Sequence, residues 1–167
     1  MITQKLILVL ALFFSVFQPN ADKIIDKLKP GNKTISASIE ITSLKANANN
    51  TGWTNNSISQ YEGYLVNLPL EKMQPEKDFI TSLKPGFEKN YFYSLIARKE
   101  GNYQSMFDSL FVYLDSSSTY LPFYEQLVFS ASATNRLRLL ETKLQNSELA
   151  DKKYFPFVLS LISSARS

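Results

Sequence analysis

The chain has 167 residues, with 18 Lys and Arg against 15 Asp and Glu, and it contains neither His nor Cys. Those two zeros exclude Ser-His-Asp and Cys-His catalytic units, disulfides and zinc sites of the Cys/His kind. Five glycines, the closest pair 11 positions apart, cannot assemble a Walker loop or a dinucleotide fingerprint.

The formal charge of +3 is spread along the chain, so it reads as a mildly basic solvated surface and not as a face for nucleic acid. What remains for chemistry is carboxylates, Lys, Arg and hydroxyls. No S-x-x-K or G-x-S-x-G motif and no acidic calcium loop is present. The pairs Glu76/Asp78 and Glu141/Glu148 are spaced like ordinary surface positions. No catalytic residue, metal ligand or cofactor site is therefore expected, and a carboxylate-based hydrolase is the remote alternative.

In chain order, Lys5 supplies one positive charge and Leu6 to Phe17 forms an apolar run of 12 residues. A helical bilayer span needs about 20. The run instead has the length of a secretory signal, so residues 1–21 read as a signal peptide with Ala21 before the cut. Export to a periplasmic or secreted location follows, with no stable membrane span in the mature chain. An oxidising compartment without Cys leaves stability to packing alone.

Residues 22–86 read as a polar helical segment. Asp22 to Leu28 is a short amphipathic helix stopped by Pro30-Gly31, and residues 34–45 fit helix and strand equally well. Asn47 to Ser57, with five Asn in eleven residues, reads as an exposed loop. A helix follows over about 57–67. Pro69 and Pro75 bracket a linker, and Glu76 to Lys84 forms a helix ended by Pro85-Gly86.

After Gly86 the chain changes character, since 15 of the 22 aromatic residues lie in 87–167. Apolar residues recur at helical spacing in four stripes. They are Phe87/Tyr91/Phe92/Leu95/Ile96, Met106/Phe107/Leu110/Phe111/Leu114, Leu121/Tyr124/Leu127/Val128/Ala131 and Leu137/Leu140/Leu144. Breaks fall at 100–102, 115–119, 133–135 and 146–151. Pro122 and Pro156 suit first helical turns, and Asn135 suits an N-cap.

Shifted by 34 residues this half matches itself. Tyr120-Leu-Pro-Phe falls on Tyr154-Phe-Pro-Phe, and Ala97, Ala131 and Ala165 share one register. With Gly101-Asn102-Tyr103 as the turn between two helices, residues 87–167 resemble the tetratricopeptide repeat, as two units and a half unit. The resemblance implies an all-α fold of antiparallel helix hairpins, stacked as a short right-handed solenoid. It also implies a groove, lined by the first helices of the units, that binds a peptide or protein partner. By position that groove would hold Tyr91, Leu95, Arg98 and Lys99 from the first unit and Glu125, Phe129 and Ser132 from the second. Its aromatic and basic character would suit an extended acidic peptide. The alternative is a purely structural segment of a longer array. Residues 153–167 are apolar nearly all round and imply further repeats, or a partner that covers them.

Overall fold

A computed structural model describes residues 30–114, 119–146 and 155–166. The expected signal peptide and the expected helix at 22–28 lie outside the described residues, as do the expected breaks at 115–118 and 147–151 and Tyr154 of the proposed repeat. Among the described residues all regular structure is helical. The chain divides into two compact units, Met1–Ser43 and Leu44–Ser167.

Helix α1 spans Pro30–Thr51, which settles residues 34–45 as helix. Proline opens it because the first helical turn has no use for the missing N–H. In the first unit the described residues are the opening turns of this helix.

The second unit starts with the last turns of α1, and here the Asn-rich stretch departs from the expected loop. Residues 47–51 are helical, the Thr51 hydroxyl donates to the Asn47 carbonyl at 2.9 Å, and Ala48 is 5% exposed. Burial of that alanine holds a turn that asparagine alone would favour less. Gly52, at φ 90°, closes the helix by donating its N–H to the Ala48 carbonyl at 2.9 Å. The connection shrinks to residues 52–54.

Helix α2 (Asn55–Asn67) begins at Thr54 with a capping box: the Thr54 hydroxyl accepts from the Ser57 N–H and the Ser57 hydroxyl accepts from the Thr54 N–H. A 3-10 turn, Leu70–Lys72, leads to α3 (Gln74–Ser82), where Pro75 occupies the first turn. The expected linker and the Glu76 to Lys84 helix are thus both shifted toward the N-terminus.

These three helices meet at Glu76, a carboxylate only 5% exposed. It accepts from the Tyr61 hydroxyl at 2.5 Å and the Tyr64 hydroxyl at 3.2 Å, and it is ion-paired with Lys45. The same ammonium lies 4.7 Å from the Phe79 ring centroid and 5.4 Å from that of Tyr61. A buried carboxylate is tolerated when donors and an opposite charge surround it, and here they come from α1 and α2.

Four further helices continue the unit: α4 (Phe87–Lys99), α5 (Tyr103–Phe111), α6 (Leu121–Ala133) and α7 (Leu137–Gln145), followed by α8 (Phe155–Arg166). Helix α4 packs on α2, α3 and α5; α6 packs on α5, α7 and α8. The core follows the expected stripes: Tyr91, Phe92, Leu95, Ile96, Met106, Phe107, Leu110, Tyr124, Leu127, Val128, Ala131, Leu140 and Leu144 are all buried. Leu121 departs from its stripe at 46% exposed, and Phe123, fully buried, takes its place. Aromatic rings run through this core from Phe79 to Tyr61, then Phe92, Tyr91, Phe87 and Phe123, each within about 6 Å of the next.

The α4–α5 and α6–α7 connections have one geometry. The N–H of Asn102 donates to the Ala97 carbonyl, and that of Arg136 donates to the Ala131 carbonyl. Gly101 (φ 73°) and Asn135 (φ 57°) hold the left-handed position between them. Both are Schellman motifs. Asn135 is therefore the left-handed residue ending α6, and Arg136 is the N-cap of α7. Asn is the residue after Gly that tolerates this conformation, which overrides its capping preference.

Two stability predictions follow from these contacts. A Cβ at Gly101 would meet nothing within 4 Å, so Gly101→Ala carries a purely conformational cost of about 1 kcal/mol, while Asn135→Gly leaves stability unchanged or raises it; urea unfolding of both variants checks this. Glu76→Ala strands Lys45 and two phenols in the core and is expected to cost about 3 kcal/mol, the low end for a broken buried pair because Lys45 keeps some solvent. A loss below about 1 kcal/mol would show that the carboxylate is dispensable.

Candidate functional site

Two lysines expected on the surface are consumed as helix caps. Lys99, in the last turn of α4, donates its ammonium to the carbonyls of Leu65 (3.1 Å), Val66 (2.7 Å) and Leu68 (2.5 Å). These belong to the end of α2, where the carbonyls have no partner in the helix. Lys89 does the same for Thr81 (2.5 Å) and Leu83 (3.1 Å) at the end of α3.

The other proposed groove residues divide between core and surface. Tyr91 and Leu95 are buried, at 0% and 3% exposed, so neither presents a broad surface. Arg98 is exposed, yet its guanidinium donates to Gln126 at 2.8 Å and lies 4.5 Å from the centroid of the Phe129 ring. Tyr103 meets the same ring edge-on at 5.5 Å. Glu125 is exposed and Ser132 half-buried. Arg98 and Phe129 are brought together across α4 and α6, whereas Lys99 points away toward α2.

Toward the start of α4 and α6 lies a second group, of which the sequence singled out Tyr91 and Glu125 but not Glu62 or Tyr120. The Tyr120 hydroxyl, just before α6, donates to the Glu62 carboxylate of α2. The rings of Tyr120 and Tyr91 meet edge-on at 5.5 Å. The Tyr91 hydroxyl is buried beside the Glu62 carboxylate and the Tyr120 hydroxyl, and the charged groups that act on it are two carboxylates, Glu62 and Glu125. Burial first, then these acidic neighbours, push the phenol of Tyr91 well above its ordinary value; burial and Glu62 do the same to Tyr120. Tyr120 falls in the repeated Tyr-Leu-Pro-Phe stretch, a signal for attention. Nothing marks Glu62 among the surface carboxylates.

A separate open cleft of about 530 Å³ is lined by Asn49, Asn50, Trp53, Lys84, Glu88 and Lys89. Its ammonium at Lys89 is already spent on carbonyls, and no buried unpartnered side chain lines it. Among the described residues no group of three or more acidic side chains is arranged to hold a metal ion, and no helix is long and apolar enough to cross a membrane. No protein-family model, curated protein or solved structure matches the chain.

The buried phenols make stability depend on alkaline pH. Tyr61, Tyr91 and Tyr120 hold their protons more tightly when folded than at the ordinary value of 10.0. Their contribution is complete below about pH 10 and is lost as pH rises above it. Urea midpoints measured from pH 8 to pH 11 are expected to fall, and less steeply in Tyr91→Phe.

Proposed function

We propose that this chain is an exported, non-catalytic helical scaffold that binds a peptide or protein partner on the face formed by α2, α4 and α6. The finer architecture in this reading is a short right-handed solenoid of tetratricopeptide-like hairpins. The observation that carries it is a common spacing of 34 residues. Helices start at Phe87, Leu121 and Phe155, and the shorter ones between them start at Tyr103 and Leu137. The left-handed turn residues Gly101 and Asn135 keep the same interval. One helical hairpin repeated at constant spacing places equivalent faces side by side, which is how repeat scaffolds build extended binding surfaces. The proposal of export rests on the apolar run from Leu6 to Phe17.

A second reading, a structural segment of a longer array, draws on α8. Four of its apolar side chains, Phe155, Phe157, Leu159 and Leu161, are only half-buried.

Phe129, 39% exposed between Arg98 and Tyr103, lies on the proposed face, and Val112, 68% exposed, follows α5. A benzophenone amino acid placed at either position and irradiated with the extracytoplasmic fraction of the source cells separates the readings. The scaffold reading expects a discrete adduct from position 129 and none from 112. Equal labelling, or no adduct from 129, would favour the structural segment.

A further inference from the structure

The open cleft beside the end of α1 carries polar side chains that the fold does not use. Asn49 and Asn50 stand on the last turn of α1, Lys84 lies between α3 and α4, and Glu88 is in the first turn of α4. Among the described residues none of these four side chains has a hydrogen bond or an ion pair. Glu88 is half-buried, and its carboxylate turns back over Gly86 in the cleft wall, with Oε2 3.5 Å from where a Cβ would stand there.

Trp53 is the second and independent observation. Its indole is wedged against the rings of Phe92 and Tyr61, with centroids at 4.7 and 5.6 Å, so its position is fixed. Yet the residue is only half-buried, it lines the cleft, and its N–H has no acceptor among the described residues. The nitrogen is not buried, so it is open to a ligand. Phenylalanine would meet the same two rings without adding a donor.

The free charges of the cleft cancel. Lys84 and Glu88 are one of each sign, and the Lys89 ammonium faces the carbonyls of Thr81 and Leu83. Such a cleft has little preference for an anion or a cation, but it offers donors and acceptors in mixture. A pyranose sugar answers that mixture with hydroxyls around its rim, and it presents flat C–H faces to an aromatic ring. The volume of about 530 Å³ lies within the range of small-molecule sites, about 300–1,000 Å³.

We infer that this cleft binds a neutral mono- or disaccharide, stacked on Trp53 and hydrogen-bonded by Asn49, Asn50, Lys84 and Glu88. The inference goes beyond the scaffold reading and does not depend on it, because no residue of the proposed groove lines the cleft.

The test follows the indole N–H resonance of the isotopically labelled protein, which has a single tryptophan and so a single such signal. The probes are maltose, cellobiose and N,N′-diacetylchitobiose. Sorbitol serves as a polyol without a flat ring face, and sodium glutamate and methylammonium chloride supply an anion and a cation. A disaccharide is expected to shift the signal saturably, with a Kd of about 1 mM for an open site, while sorbitol and both ions leave it in place. Asn50→Ala and Glu88→Ala should each weaken that binding about tenfold, the loss of one hydrogen bond. Alanine favours the helix at exposed position 50, and unchanged amide signals elsewhere show that each variant keeps its fold.

No shift from any of the three disaccharides would overturn the inference. So would an equal shift from sorbitol, a larger one from either ion, or binding left unchanged in both variants. The crosslink from position 129 reports on other residues, so the scaffold reading succeeds or fails separately.

Discussion

A single carboxylate in the interior decides how the first helices of the second unit meet. Glu76 is almost fully removed from water, and its charge is held by two phenols of α2 and an ammonium of α1. None of the four groups has a reason to be where it is without the others. The ring of Tyr61 then joins the aromatic run that crosses α4 into α6. Polar registration at one end and ring packing through the middle thus belong to one continuous core.

The basic residues of the chain serve the fold more than the surface. Lys89 and Lys99 each end a preceding helix by supplying donors to its last carbonyls, 6 to 34 residues back in sequence. Each therefore ties one helix to the terminus of another. A positive charge read from composition is in this way partly spent indoors.

Helices from Phe87 onward were legible because their apolar residues recur at 3.6 spacing and their connections are short. The same logic failed where side chains compete with local propensity. Five asparagines in eleven residues read as a loop, but buried Ala48 and the Gly52 closure carry α1 through Thr51. Asn135 looked like a cap because its neighbours begin an apolar helix; its backbone instead does the work of a glycine. The proposed groove residues were placed by position alone, which cannot tell that Leu95 turns inward or that Lys99 reaches back to α2. Glu62 gave no signal, and Glu76, expected at the surface with Asp78, is buried instead, for a simpler reason. A carboxylate on an amphipathic helix gives no sign of whether a tyrosine from another helix will cover it.

Trp53, the one tryptophan in the chain, lies where the residues between α1 and α2 meet this core. Its indole stands 4.7 Å from the Phe92 ring and 5.6 Å from that of Tyr61. Excitation absorbed by nearby tyrosines passes to an indole at such distances, and emission energy follows how much water the indole sees. The protein therefore carries a native optical reporter at the junction of α2 and α4. Its colour reads the integrity of the Glu76 assembly without any label being attached.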